Sequence, residues 1–400
     1  MRKSLLPEAG ENKFQKIKRK SAVAEAAGIK LTKLSIGQPS GPALVEARCA
    51  AAQAVLSDDE SKHEYQDNGS PGVKDFAKRF VNYHVGIDLN REGISFLPLP
   101  GVKPALDMVI KSLGSWVKDV RVATVGTMTN PGYPTPADMC AMIEGISHFH
   151  LKLKPEKGFL FDLDDLGSLG ELGEGDLLML NFPHNPTGII AEIDWLRGVC
   201  AYCEKRGIRV FNDAAYARLA HNGLSQTLTD VAVEFPDLNW AEAFSASKLG
   251  NNTGWRVGAI VGSSEFVGDI ARIKGNMDSG FVAPMAAGII HLLENHNDQV
   301  EKVREMYAER LDCLQQILTE CGMELAVEPQ AGFFILCNSP RVAFGQGIAD
   351  AEAFNDLMIS KTGVVGVPFG SYIRYAVCTT DIAALRDEIT AAFSRAKVAY

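Results

Sequence analysis

The middle of the chain alternates short apolar runs with amphipathic stretches, and that alternation limits the folds open to it. Strand-like runs occur at Val120 to Val125, Asp176 to Phe182, Ile208 to Phe211, Ala241 to Ser245 and Val257 to Gly262. Helix-like stretches, such as Val102 to Leu113, Pro134 to Ile143 and Ser264 to Lys274, fall between several of them. This pattern predicts an α/β fold, a mostly parallel sheet with helices on both faces. The C-terminal quarter has a different pattern. Asp298 to Cys321 has the period of a long helix, strand signals follow at Gly332 to Cys337, Val364 to Val367 and Ile373 to Val377, and a last helix is expected over Ile382 to Ala396. At 400 residues the chain exceeds what one core usually supports. The expected division is an N-terminal segment 1–40 that joins a smaller α+β domain at 291–400, with a large domain at 41–290 between them.

Charge and patterning exclude several classes. A net charge of -9 argues against a nucleic-acid or membrane-surface binder, which needs a basic face. No apolar run is long enough to span a bilayer, since the best one, Phe281 to Leu293, is short and contains Pro284 and His291. The basic start (Arg2, Lys3, then Lys13 to Lys20) has no apolar core of a secretory signal, so a cytoplasmic protein is expected. The eight cysteines are scattered. Cys200 and Cys203 form a CxxC, but they share a face of a helix-like stretch and have no histidine cluster near them. They are expected in the core, with no metal site.

Several chemistry-bearing groups lie in order along the alternation. Asp213 follows Ile208-Arg209-Val210-Phe211-Asn212, at the C-terminal end of a strand, where open α/β sheets place their ligand crevice. A carboxylate there can pair with a protonated pyridine nitrogen. At contact, with an effective dielectric of about 20, the gross attraction is roughly 5 kcal/mol. Each pKa unit is about 1.4 kcal/mol, so this suffices to keep the nitrogen protonated at neutral pH. Tyr216, three residues on, and Asn185 of Asn185-Pro186-Thr187-Gly188 can both donate to a ring oxygen. Lys248, in Ser245-Ala246-Ser247-Lys248, has an amine that can form an imine with an aldehyde, and Arg256 follows eight positions later. Ser245, Ser247, Arg256 and the N–H groups of Gly101-Val102-Lys103, which open a helix-like stretch, can cradle a phosphate. Tyr133 can stack on a ring. Arg374, inside a strand-like run, can hold a carboxylate with two hydrogen bonds. Singly, each has a plain structural reading: a capping aspartate, a turn asparagine before proline, a turn glycine, a core aromatic, a structural ion pair. Together they match the polar edges of pyridoxal 5'-phosphate.

In order and spacing these residues resemble the class I/II aminotransferases, fold-type I pyridoxal-phosphate enzymes related to aspartate aminotransferase. The resemblance runs from Ile36-Gly37-Gln38-Pro39 to Arg374, and its most specific parts are Asn185 to Gly188 and Ser245 to Arg256. It implies that Lys248 is the Schiff-base lysine and the general acid or base, and that Asp213 is the partner of the pyridine nitrogen. Asn185 and Tyr216 become the ring-oxygen donors and Tyr133 the stacking aromatic. Gly101, Val102, Lys103, Ser245, Ser247 and Arg256 become the phosphate cup. It further implies that Tyr65 reaches the phosphate held by the other subunit of a homodimer, and that Gly37, Asn185 and Arg374 contact the substrate carboxylate. The chain departs from the family at Val102, where a small or hydroxyl residue is usual, and in the short stretch Pro368-Phe369-Gly370-Ser371 before Arg374. No match is evident for the second arginine of dicarboxylate-specific members. Asn276-Met277-Asp278-Ser279-Gly280 resembles a segment of the LL-diaminopimelate aminotransferase-like branch.

The expected activity is ping-pong transfer of an amino group from an L-amino acid to a 2-oxo acid. Two alternatives stand beside it. One is a carbon–sulfur β-lyase or other pyridoxal-phosphate reaction on the same scaffold. The other is a non-catalytic ligand-sensing domain of a transcription regulator, which is expected to be excluded because the resemblance begins within about forty residues of Met1. The amino donor is not legible in the sequence.

Overall fold

The computed structural model describes residues 13–68, 71–114, 122–168, 172–223 and 225–400. Arg2, Lys3 and Val120, which entered the sequence reading, lie outside the described residues. The chain divides into two compact units. The larger comprises Gln38–Leu311 and Val327–Ile335. The smaller comprises the chain up to Gly37, Asp312–Ala326 and Leu336–Tyr400.

The larger unit is built on a seven-stranded sheet: β1 (Ile94–Leu99), β2 (Ala123–Thr127), β3 (Ile146–His150), β4 (Leu177–Leu180), β5 (Arg209–Asp213), β6 (Trp240–Ser245) and β7 (Gly258–Ser263). Their order is β1-β7-β6-β5-β4-β2-β3. The pairs β6–β5, β5–β4, β4–β2 and β2–β3 are parallel. β7 runs antiparallel to β6 and β1. The sheet is therefore mostly parallel, as expected, with one reversed strand. β4, β6 and almost all of β7 are buried, the continuous apolar pattern of strands covered on both faces.

Helix Val102–Lys111 turns Val102, Ala105, Leu106, Val109 and Ile110 into a core that also holds Met179 of β4, Phe211 of β5, Ala243 of β6 and Ile260 of β7. Helix Ser264–Lys274 adds Phe266, Val267 and Ile270. Burying each large side chain here contributes about 1.5–3 kcal/mol before entropy is counted. Cys200 and Cys203 lie fully buried and reduced on helix Ile193–Arg206, which places the CxxC in the core. Three expected helices are shorter than predicted, Val102 to Leu113 by two residues. Pro134 to Ile143 is helical only over Thr135–Cys140. The last helix spans Arg386–Ala396, because the N–H of Ala384 turns back onto the Asp381 carboxylate at 3.1 Å instead of joining it.

In the smaller unit, helix Lys13–Ala26 packs Ile17 and Ala24 against Ile359, Val365, Val367 and Phe369. The short strand Thr32–Lys33 pairs in parallel with Val364–Val365. A three-stranded sheet follows the order Val367–Phe369, Tyr372–Ala376, Phe334–Asn338, with Leu336 to Asn338 counted in this unit. Among the described residues, no helix is long and apolar enough to cross a membrane.

Candidate active site

The direction of the strands gathers the site. β2, β4, β5 and β6 are parallel, so the segments that follow them emerge at one edge of the sheet, where α/β folds bind ligands. These segments carry Tyr133, Asn185, Tyr216 and Lys248. β7 runs the other way, so it begins at that same edge, just after Arg256. β1 ends there too, and leads into Gly101 and helix Val102–Lys111.

Asp213 is the last residue of β5. Its Oδ1 accepts the Ala215 N–H at 3.2 Å. Burial pushes its carboxyl up to about 6, although that N–H and the Lys248 charge pull in the other direction. The residue is half-buried, and a desolvated carboxylate favours a cation beside it. Lys248 closes the turn Ala246–Lys248, which Ser245 Oγ caps by accepting the Ser247 N–H at 3.2 Å. Its Nζ lies 5.8 Å from the centre of the Phe333 ring. Tyr216 is held edge-on to Phe333 and Phe334, with ring centres 5.6 and 5.7 Å away.

Asn185 is buried, and its carbonyl accepts the Tyr133 N–H at 3.1 Å. Its loop is pinned by a close approach at Gly188. The Gly188 carbonyl takes the N–H groups of Gln330 and Ala331 at 2.9 and 2.8 Å. At φ +72, a Cβ on Gly188 would lie 2.8 Å from the Ala331 carbonyl oxygen, so only glycine fits. Tyr133, Asn181 and Asp213 line one pocket with Leu106, Met128 and Thr129.

Two of the residues expected to hold the phosphate, Gly101 and Arg256, meet. Gly101 precedes helix Val102–Lys111 at φ 78, and a Cβ on it would stand 2.2 Å from Arg256 Nη2. The guanidinium bonds to the carbonyls of Pro100 and Thr253, each at 3.1 Å, and Arg256 itself holds φ 58. A helix N-terminus, an arginine and the hydroxyls of Ser245 and Ser247 make an anion-binding set. Val102 sends its side chain into the core and Lys103 is exposed, so each offers the cup its backbone N–H. The donor set fits pyridoxal 5'-phosphate: a half-buried carboxyl for the ring nitrogen, an amide and a phenol for the ring oxygen, an amine, and a cationic cradle that a single methyl group would fill.

Tyr65 lies on the surface of the larger unit, 77% exposed. Its neighbour Gln66 donates its N–H to Ser279 O at 3.1 Å, so the segment Asn276 to Gly280 supports the Tyr65 strand of chain. That segment is itself shaped by buried Lys274, whose Nζ is 2.5 Å from Asp278 Oδ1. Gly37 and Arg374 belong to the smaller unit. Arg374 lies on Tyr372–Ala376, is 1% exposed, and donates from Nη2 to Ser35 O at 3.0 Å. Sequence reasoning missed Asn181, Asn212 and Glu242, three buried or half-buried polar residues around the strand ends. The available signal was a polar side chain set directly in or after an apolar strand run.

Residues 29–387 match the family model described as aminotransferase class I and II. The LL-diaminopimelate aminotransferase of Natranaerobius thermophilus is 28% identical over 370 residues, covering 89% of each chain. That of Methanocaldococcus jannaschii is 30% identical over 377 residues, covering 92% of this chain and 85% of its own. Among solved structures, Thermus thermophilus aspartate aminotransferase with maleate superposes with a TM-score of 0.79 at 22% identity, covering 96% of this chain and 97% of its own. The chain belongs to the class I and II aminotransferases, the fold-type I pyridoxal-phosphate enzymes. It is a pyridoxal-phosphate-dependent transaminase acting on amino acids and 2-oxo acids.

Proposed function

We propose that Lys248 is the residue that moves the proton in this transamination, and that Asp213 sets the electronics of the reaction. When bound, pyridoxal 5'-phosphate supplies a carbonyl carbon that takes the amino group and an electron-withdrawing ring. Lys248 Nζ removes the proton from the substrate Cα as general base and later returns one as general acid. Asp213 holds the proton on the ring nitrogen. Asn185 and Tyr216 donate to the ring oxygen, and Tyr133 stacks on the ring. The N–H groups of Gly101, Val102 and Lys103, the hydroxyls of Ser245 and Ser247, and Arg256 bind the phosphate. Gly37, Asn185 and Arg374 hold the substrate carboxylate. The observation that carries this reading is the half-buried, desolvated Asp213 carboxyl at the same sheet edge as Lys248.

The working form is a cytoplasmic homodimer in which Tyr65 reaches the phosphate bound by the other subunit. The large exposure of Tyr65 supports this placement. The donor is an L-amino acid, and the names of the relatives make LL-2,6-diaminopimelate the first to try. The test is a panel of amino acids with 2-oxoglutarate or pyruvate as acceptor. Formation of the matching 2-oxo acid and aminated acceptor is expected. Release of ammonia and pyruvate with no acceptor added would contradict transamination as the main activity.

A further inference from the structure

At the end of the β4–β5 ladder, side chains replace the backbone. The last ladder pair is Leu180 with Asn212. Beyond it, Asn181 donates from Nδ2 to the Asp213 carbonyl at 2.9 Å. Asn212 reaches back the other way. Its Oδ1 accepts the Phe182 N–H at 2.8 Å, and its Nδ2 donates to Phe182 O at 3.1 Å. Two amides thus stitch adjacent strand ends in opposite directions.

The stitch continues on both sides. Asn181 Oδ1 accepts the Asn185 N–H at 3.1 Å. The Asn185 carbonyl in turn accepts the Tyr133 N–H at 3.1 Å. On the far side, Asn212 donates to Glu242 Oε1 on β6 at 2.6 Å. The Glu242 carboxyl also accepts the N–H groups of Leu228 and Thr229, at 3.1 and 2.7 Å, and the Thr229 hydroxyl at 2.6 Å. Asn212 and Glu242 are at most 1% exposed, so these bonds face no competition from water. A backbone ladder would fix only two neighbouring strands. This arrangement ties the main chain of Asp213 to that of Asn185 through one side chain, and Asn185 to Tyr133 through a backbone bond.

We propose that Asn181, backed by Asn212 and Glu242, is a positioning residue for the transamination. It ties together the main chains that carry the Asp213 carboxylate and the Asn185 side-chain amide, so that the ring-nitrogen and ring-oxygen contacts are made together. The inference rests on the roles proposed above for Asp213 and Asn185. Asn181→Ala removes both bonds, and Asn181→Ser keeps a shorter group that can donate or accept.

The experiment compares the cofactor-loaded parent, Asn181→Ala, Asn181→Ser and Asp213→Ala. Four quantities are read: kcat and KM, affinity for pyridoxal 5'-phosphate, the pH at which the absorbance of the bound cofactor changes, and Tm. For Asn181→Ala, kcat is expected to fall about 10–100-fold with KM changed much less, since misplacement of about 1 Å has that size of effect. The absorbance midpoint is expected to move by about half a unit or more, because the groups that set it have shifted. Asn181→Ser is expected to lie between Ala and parent, and it decides the matter if Asn181→Ala does not fold. A lower Tm with kcat and absorbance midpoint at parent values would overturn the proposal and leave Asn181 a purely structural residue. If Asp213→Ala kept parent activity, the underlying reading would fail instead, so the two failures are distinguishable.

Discussion

In the chain alone, burial lifts the Asp213 carboxyl to about 6, against 3.8 for a free aspartate side chain. The folded chain thus binds this proton more tightly than the unfolded chain does. Its stabilising contribution is complete below about pH 4 and is lost as pH rises through about 6. Asn at this position never ionises. Cofactor-free Asp213→Asn is therefore expected to gain stability relative to the parent between about pH 4 and pH 7, by up to about 3 kcal/mol at 1.4 kcal/mol per unit. Urea unfolding at several pH values measures this, and a difference independent of pH would contradict the assigned burial. At Lys248 the expected effect is on chemistry, not folding. Lys248→Ala should lose essentially all turnover while its urea midpoint stays close to the parent value, as checked by single-turnover assay and denaturation. The positions of Asp213 and Lys248 at strand ends were legible in the sequence because each follows an apolar run. Asn181 was not, because its partners, Asn185 and Asp213, are joined only after β4 and β5 align.

At the scale of elements, the proposed phosphate cup depends on the close approach of the Arg256 guanidinium to the Gly101 backbone. Gly101→Ala would place a Cβ 2.2 Å from Arg256 Nη2 and force a side chain to adopt φ +78. The strained backbone costs about 1 kcal/mol, and the guanidinium must move. We expect affinity for pyridoxal 5'-phosphate to fall at least about tenfold, since charge-assisted bonds of about 1.5–3 kcal/mol are disturbed. Titration of the cofactor-free variant measures this, and unaltered affinity would place the phosphate elsewhere. The strands that follow apolar runs were legible from pattern alone. β1 was not among those expected, and Pro98 within it explains why, since proline argues against a central strand. Among the described residues β1 pairs only with β7 and forms an edge, where proline is tolerated. β3 was also missed. It carries His148 and His150, which bond to the hydroxyls of Thr127 and Thr129, so its pattern is not that of a buried strand. The reversal of β7 could not be read either, because direction depends on which strands become neighbours.

At the scale of the whole molecule, a chain of net charge -9 is proposed to bind its anionic cofactor through a local basic cradle at a sheet edge. The proposed dimer makes Tyr65 part of that cradle. Sedimentation of the loaded protein at micromolar concentration is expected to give twice the chain mass. Tyr65→Phe should weaken cofactor binding by at least about tenfold, since one hydrogen bond to a charged group is worth about 1.5–3 kcal/mol. A monomer with full activity would contradict the shared site. The central claim is that one amine, that of Lys248, engages the cofactor. Loaded protein reduced with borohydride, digested and mapped by mass spectrometry tests it most directly. The account predicts the pyridoxyl label on the peptide containing Lys248, and a label on any other lysine, or on none, would contradict it.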